Sequence, residues 1–351
     1  MKKVIGAIGL ALVASTACAQ STVTLAGVVG GGLRWQNGTT GGSTLAFAGN
    51  DIALSAFILQ GKEDLGGGTE ATFYLRSTFN PGTGGVFNPA VLFSSTADVG
   101  LSTKYGQLTL GRQFSAFEDF LIQMDPSSAR GSAPTVPAAL LVGNFFTGDD
   151  WFNNTVKYRG QIGGFVFRTS YSFGGVAGNT QAGSNFSASA VYQAGIFSGG
   201  AGYGRTYKAD ASQWAQTVEI GGTAQLGPVR FYANYLSLAV TGASATSPQR
   251  RDKIPTAGLV YIPSPAVVLT AAFYDDLASN LGNIAGASGH KTTSYAIAEY
   301  FLSKRTELYA EVDRNGFSGA YKKDPANVLT FNLRPGASAS TGLAVGMVTR
   351  F

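Results

Sequence analysis

From Thr341 to Phe351 the sequence alternates in side-chain character. Leu343, Val345, Met347, Thr349 and Phe351 share one parity, and Gly342, Ala344, Gly346, Val348 and Arg350 share the other. A strand sends successive side chains to opposite faces. One face of this segment is therefore mostly large and apolar, and the other is small with a single charge. Two kinds of protein use such a strand. One is a soluble β protein with this segment at an edge. The other is a transmembrane barrel, with lipid on one side and a packed or watery lumen on the other.

Charge separates the two. Only 13% of the 351 residues are charged, against about 25% in an ordinary soluble domain. Mean hydropathy is nevertheless close to neutral, at +0.10. A barrel accounts for both values, because half of each strand faces lipid and the other half carries small and polar groups inward. Nothing in the sequence reaches the ~20 apolar residues of a spanning helix. Without such helices, a membrane protein must satisfy its backbone by closing a sheet. The fold expected is all-β, a transmembrane antiparallel β-barrel.

The N-terminus reads as an address. Lys2 and Lys3 precede an apolar run from Val4 to Ala14, and Ala17-Cys18-Ala19 is a small-residue cleavage site. We expect residues 1–19 to be an export signal and 20–351 to be the barrel. A lipid attachment at Cys18 is the rival reading, but Ser15 stands where that signal usually has an aliphatic residue. Cys18 is the only cysteine, so cleavage after Ala19 leaves no disulfide or thiol chemistry. It also lowers the formal charge from +5 to +3, too little to suggest nucleic-acid binding.

Along the chain, strands of ~10 residues alternate with short turns and long Gly-, Ser- and Asn-rich loops. The short turns fall at Lys104 to Gly106, Gly160 to Gly164, Gln193 to Gly195, Gly227-Pro228, Pro263 to Pro265 and Ser303 to Arg305. Counting gives sixteen strands. Inward faces such as Thr155-Lys157-Arg159 and Glu307-Tyr309-Glu311-Asp313 are too charged for a dry core. Phe114 to Trp151 stands out as a long stretch without a clear strand. It begins acidic, with Glu118, Asp119 and Asp125, then carries Arg130, an apolar run Ala138 to Val142, and Phe145-Phe146. Water would penalise that apolar run, so we expect the loop to fold into the lumen.

Five segments in order resemble the trimeric general porins of Gram-negative bacteria, in particular the β-proteobacterial branch. They are Gly61 to Gly68, Gly106 to Gln113, Asn153 to Tyr158, Leu302 to Thr306 and the final strand. The resemblance implies sixteen strands, a homotrimer, an outer-membrane location in contact with lipid and lipopolysaccharide, and a third external loop, residues 114–151, forming a constriction. It also implies that the terminal Phe351 is an assembly signal. Family members often carry basic residues on the wall facing that loop, where this chain has Val28, Ala56 and Ser95. Other inward cations by parity are Arg76, Lys157, Arg168 and Arg230, while Arg112 fits a turn better than the pore.

Other chemistry finds little support. Gly66 to Ala71 fits a GxGxxA pattern, but a strand follows where the dinucleotide site needs a helix. His290 is the only histidine, which argues against a catalytic triad or a multi-histidine metal centre. Asp149-Asp150 and Asp275-Asp276 are carboxylate pairs with the composition of a calcium site, though such pairs are more often simply hydrated. We expect no enzyme, no cofactor and no metal. The function expected is passive diffusion of small hydrophilic solutes and ions with weak ion selectivity. Two alternatives remain: a porin selective for small carboxylate or aromatic solutes, with Arg130 or Arg168 beside Phe145 or Phe146, and a surface interaction protein.

Overall fold

The computed structural model describes residues 21–49, 51–128, 144–326 and 332–351. The expected export signal, Arg130 and the run Ala138 to Val142 lie outside them. The sheet opens with β1 (Thr22–Thr39), β2 (Gly42–Ala48), β3 (Ala56–Gly66) and β4 (Thr69–Thr78). Next come β5 (Thr96–Thr103), β6 (Gly106–Gln113) and a helix, α1 (Ala116–Met124). After it lie β7 (Phe152–Ile162), β8 (Phe165–Ser172), β9 (Asn185–Ala194), β10 (Phe197–Tyr207) and β11 (Trp214–Leu226). The remaining strands are β12 (Val229–Val240), β13 (Arg250–Ser264), β14 (Val267–Ser279), β15 (Gly289–Phe301), β16 (Thr306–Phe317) and β17 (Ala339–Arg350).

All pairings are antiparallel, and β1 pairs with β17 from Val28 opposite Arg350 to Gln36 opposite Gly342. That contact closes the sheet. Phe351 extends the seam by exchanging two backbone hydrogen bonds with Gly27, each 3.1 Å. β3 pairs with Thr22–Val28 of β1, and β2 pairs with its distal part from Gly32. These two segments are one stave broken at residues 49–55, so the barrel has sixteen staves.

The alternation of the sequence becomes the two faces of the wall. On β17, Leu343, Val345 and Met347 are about half exposed, at 50%, 57% and 48%, while Ala344 and Val348 are buried. At the short-turn end, Gly66, Gly67 and Gly68 have φ of +84°, +61° and +77°. Side chains with a Cβ strain that left-handed backbone, which explains the glycine run without any nucleotide.

The interior has two unlike halves. Inward residues of β11 to β17, including Leu236, Leu238, Ile254, Tyr274, Ile297 and Val348, pack against α1, Ile52, Phe145 and Phe146. This half is packed. The half bounded by β1 and β3 to β7 encloses a cavity of about 530 Å³. The charged inward face of β16 lies on the packed side. Glu307, Glu311 and Asp313 are buried there, because cations from β1 and β17 reach them.

Candidate functional site

The long third loop contains a helix where no regular structure was expected. Ser115 starts it. Its Oγ accepts from Glu118 N at 3.3 Å, and Glu118 Oε2 accepts from Ser115 N at 2.9 Å, a reciprocal capping box. Ala116 N also donates to Ser170 Oγ on β8, at 2.9 Å. Phe117, Phe120, Leu121 and Met124 follow at helical spacing and are buried on one face. The wall opposite is shaped to receive them. A Cβ placed on Gly202 of β10 would stand 2.8 Å from Phe120 and 3.0 Å from Phe117. Glycine is needed there for close approach. At the far end of the helix, Asn234 Nδ2 donates to Met124 O at 2.7 Å, and Asp125 accepts from Tyr274 OH and Ser127 Oγ.

This seating sorts the three loop acids. Burial pushes the Glu118 carboxyl well above the usual carboxylate range, despite the Ser115 N–H that it accepts. Asp125 is buried beneath Tyr274. Asp119 is left facing the cavity, where it accepts from Lys157 Nζ at 2.8 Å and lies 3.9 Å from Arg168 Nε.

Strand register arranges the facing wall in rows. One runs Thr24, Gln60, Tyr74, Asp98. The next runs Thr22, Lys62, Thr72, Gly100, Thr109, Lys157. A third runs Glu70, Ser102, Gln107, Arg159, Arg168. Neutral hydroxyls and amides dominate, with charges set among them. Lys62 pairs with Glu70 at 3.1 Å. Arg76 donates to Leu54 O at 3.1 Å, Arg159 to Gln161 at 3.1 Å, and Arg168 to Gln123 of α1 at 3.4 Å. Among the described residues the Asp98 side chain makes no hydrogen bond or ion pair. Arg230 sits apart, near the short turn, donating to Gln225 at 2.9 Å.

A model of Gram-negative porins matches residues 6–320. The chain belongs to the Gram-negative porin family. Outer membrane porin protein 32 of Delftia acidovorans is 30% identical over 179 residues, 49% of this chain and 50% of that protein. An outer membrane porin protein of Bordetella pertussis is 33% identical over 117 residues, 33% of this chain and 29% of that protein. The matches thus span half or less of these relatives. Among solved structures, an anion-selective porin from Comamonas acidovorans superposes with a TM-score of 0.79 at 20% identity, over 95% of this chain and all of that one. The trimer form of OmpT from Vibrio cholerae gives 0.71 at 12% identity, over 94% and 99%. These superpositions show the fold, and family and barrel together place the protein in the outer membrane.

The neck of the porin's third loop is held by a residue whose role the sequence did not reveal. Phe114 and Trp151 stack with centroids 5.0 Å apart. Arg112 clamps that neck, donating to Ser94 O, Asn153 Oδ1 at 2.8 Å and Asp149 Oδ2 at 2.7 Å. A register shift between Gly111 and Gln113 accompanies this turn of the strand end. Beside it, burial and the neighbouring Asp149 push the Asp150 carboxyl up to about 6. The native state therefore holds a proton that the unfolded chain releases near pH 4, and stability from this group is lost as pH rises through about 6. Asp150→Asn removes that penalty. We expect its heat-induced transition to exceed that of the parent by a few degrees at pH 8 and to match it near pH 3.5, read by circular dichroism.

Elsewhere the porin's ionic groups pair in the packed half. Arg34 binds Asp313 and donates to Glu311 at 3.0 Å, and Arg350 donates to both oxygens of Glu307 at 3.0 and 2.9 Å. Arg250 holds Asp252 and lies 5.4 Å from the ring of Phe145. Phe145 and Phe146 form an edge-to-face pair at 5.4 Å and pack on this half. Arg168, one of the two cations named in the alternative carboxylate site beside these rings, engages Gln123 and Asp119. The Asp275-Asp276 pair is split between faces, with Asp275 outward near His290 at 3.3 Å and Asp276 inward, accepting from Tyr321 OH at 2.6 Å. The two carboxylates do not converge on a common ion.

Proposed function

We propose that this porin is a passive diffusion channel for small hydrophilic solutes and ions. The observation that carries the reading is the position of α1. It seals one half of the lumen with apolar side chains and leaves the other half open against a wall of threonines, glutamines and scattered charges. A wet, neutral wall exchanges hydrogen bonds with passing solutes without holding them. Lys62, Arg76, Lys157, Arg159 and Arg168 on that wall outnumber Glu70, Asp98 and the loop's Asp119, which supports a weak preference for anions. The ion pairs of the packed half lie off this path. A second reading, selectivity for small organic carboxylates, is favoured by Tyr74 and Phe114 lining the cavity with Lys157 and Arg159. A homotrimer and the removal of residues 1–19 belong to the same proposal, with the apolar outer face of β17, β1 and β2 as the subunit seam.

The test is a planar bilayer recording on the folded protein. We expect stepwise openings and a small reversal potential of anion sign in a potassium chloride gradient. A small aromatic carboxylate that blocks the current at low concentration would select the second reading. Inserted, folded protein that passes no current would remove the channel reading altogether.

A further inference from the structure

One carboxylate on the open wall has no partner. Asp98 of β5 lines the cavity and is half-buried, and among the described residues no donor meets its side chain. The wall is cleared around it. Gly111 stands opposite on β6, and Gly100 follows two residues later on β5. A Cβ on Gly100 would lie 2.6 Å from Thr72 Oγ1 and 3.1 Å from Thr109 Cγ2, and one on Gly111 would lie 2.1 Å from Ala97 O. Neither position accepts a side chain without displacing its neighbours. Asp98 thus stands in a notch, with Tyr74 beside it on β4 and Thr72 and Thr109 in the next row beneath.

Cations of the same cavity lie in the next rows toward the short turns. Lys157 is one row and two strands from Asp98, a step of about 12 Å between backbones. Arg159 is one row further. Lys157 is committed to Asp119 and Phe114 O. Arg159 is less committed. It donates to Gln161, a neutral amide, at 3.1 Å, and a guanidinium has five N–H groups to offer. It also pairs directly opposite Arg168 across β7 and β8. Like charges so placed destabilise a sheet, and an anion brought to them relieves the repulsion. The cavity therefore has a negative pole without a cation and a positive pole with open donors, separated by threonine hydroxyls.

A simple anion satisfies the positive pole and is repelled by Asp98, and a simple cation meets the reverse. A molecule with both charges satisfies both poles. The aspartate and lysine side chains shorten the step between their strands to the span of an ammonium and a carboxylate on one small molecule, each with its hydrogen bond. We propose, on the diffusion-channel reading, that this cavity is a binding site for zwitterionic solutes, free α-amino acids in particular, with Asp98 accepting from the ammonium group and Arg159 and Lys157 donating to the carboxylate. Tyr74, the cross-strand neighbour of Asp98, offers its ring to the same ammonium. Phe114 gives the solute's own side chain an apolar surface. The bound solute lies with its ammonium toward the long loops and its carboxylate toward the short turns.

The test records single-channel current from the folded protein in a planar bilayer as one of three probes is added. Phenylalanine carries both charges, 3-phenylpropionate only the carboxylate and phenethylamine only the ammonium, all on the same ring. We expect phenylalanine to halve the current at about one-tenth of the concentration that either single-charge probe needs, the effect of one added charge-assisted contact. Asp98→Asn should raise the phenylalanine value to that of 3-phenylpropionate and leave 3-phenylpropionate no weaker. Arg159→Gln should weaken both carboxylate probes, while Arg230→Gln, away from the cavity, should match the parent. Equal values for phenylalanine and 3-phenylpropionate overturn the proposal. So do equal values for phenylalanine and phenethylamine, or an Asp98→Asn variant that discriminates like the parent. The three probes are compared on the parent protein, so a variant that fails to fold does not remove the test. A protein that conducts without discriminating among the probes fails this proposal alone. One that passes no current fails the channel reading and this proposal with it.

Discussion

Replacing Phe117 and Phe120 together by alanine will release α1 from the wall and turn a steady channel into a wider, fluctuating one. Both rings are fully buried. Truncating a buried phenylalanine costs ~3–5 kcal/mol, and the two sites are adjacent enough to collapse together only in part. What remains to hold the helix includes the capping box, the Ala116 to Ser170 bond, the Asn234 bond to Met124 O and the Lys157 to Asp119 pair, with the Tyr274 bond to Asp125 and the Arg112 clamp holding the loop at either side. Such bonds contribute about 0.5–1.5 kcal/mol each, or ~1.5–3 where a charge takes part. The lost packing matches or exceeds most of that. The barrel should survive, because its strand ladders close without the helix. Single-channel recordings should show higher mean conductance with frequent transitions between levels, while the heat-induced transition of the barrel shifts little. Gly202→Leu should act in the same direction, since its side chain claims the space of the two rings. An unchanged, quiet current from both variants would mean that the loop is fixed elsewhere.

Much of this architecture was legible because a barrel writes its two faces into the sequence at period two. The alternation from Leu343 to Phe351, the glycine turn at 66–68 and the long third loop each appear where they were read. The helix was not read from the sequence, although Ser115-Ala116-Phe117-Glu118 followed by apolar residues at helical spacing carries its signal, because nine helical residues are weak evidence inside a long loop. The packed half was not legible. On β12, inward Leu236 and Leu238 and outward Phe231 and Tyr235 are all apolar, so parity alone does not say which face meets lipid and which meets a packed loop. Glu118, Asp119 and Asp125 look equivalent as letters. Only the docking of α1 buries two of them. Arg34 and its partner Asp313 are 279 residues apart, and only closure of the barrel joins them.

Reversing the charge at Lys157 should change ion preference more than any other single substitution on the open wall. Its ammonium donates to Asp119 at 2.8 Å and to Phe114 O at 3.0 Å, so it joins the wall to the loop at the narrowed side. Lys157→Glu replaces one positive charge by a negative one and sets it against Asp119. A unit charge at ~4 Å changes an ion's energy by about 1 kcal/mol in water and about 4 at the effective dielectric of a protein surface. Reversal moves the wall by two units, which corresponds to roughly tenfold or more in cation over anion permeability. We expect the reversal potential to take the cation sign at 0.1 M salt and the shift to shrink at 1 M, where the screening length falls from ~10 to ~3 Å. Lys157→Gln should give about half the shift. Field and loop position can be separated by the exchange Asp119→Lys with Lys157→Glu. It restores the pair and the net charge, and it should return the reversal potential close to the parent value. If the reversal and the exchange both leave ion preference where it was, ions do not pass between α1 and the β1 to β8 wall.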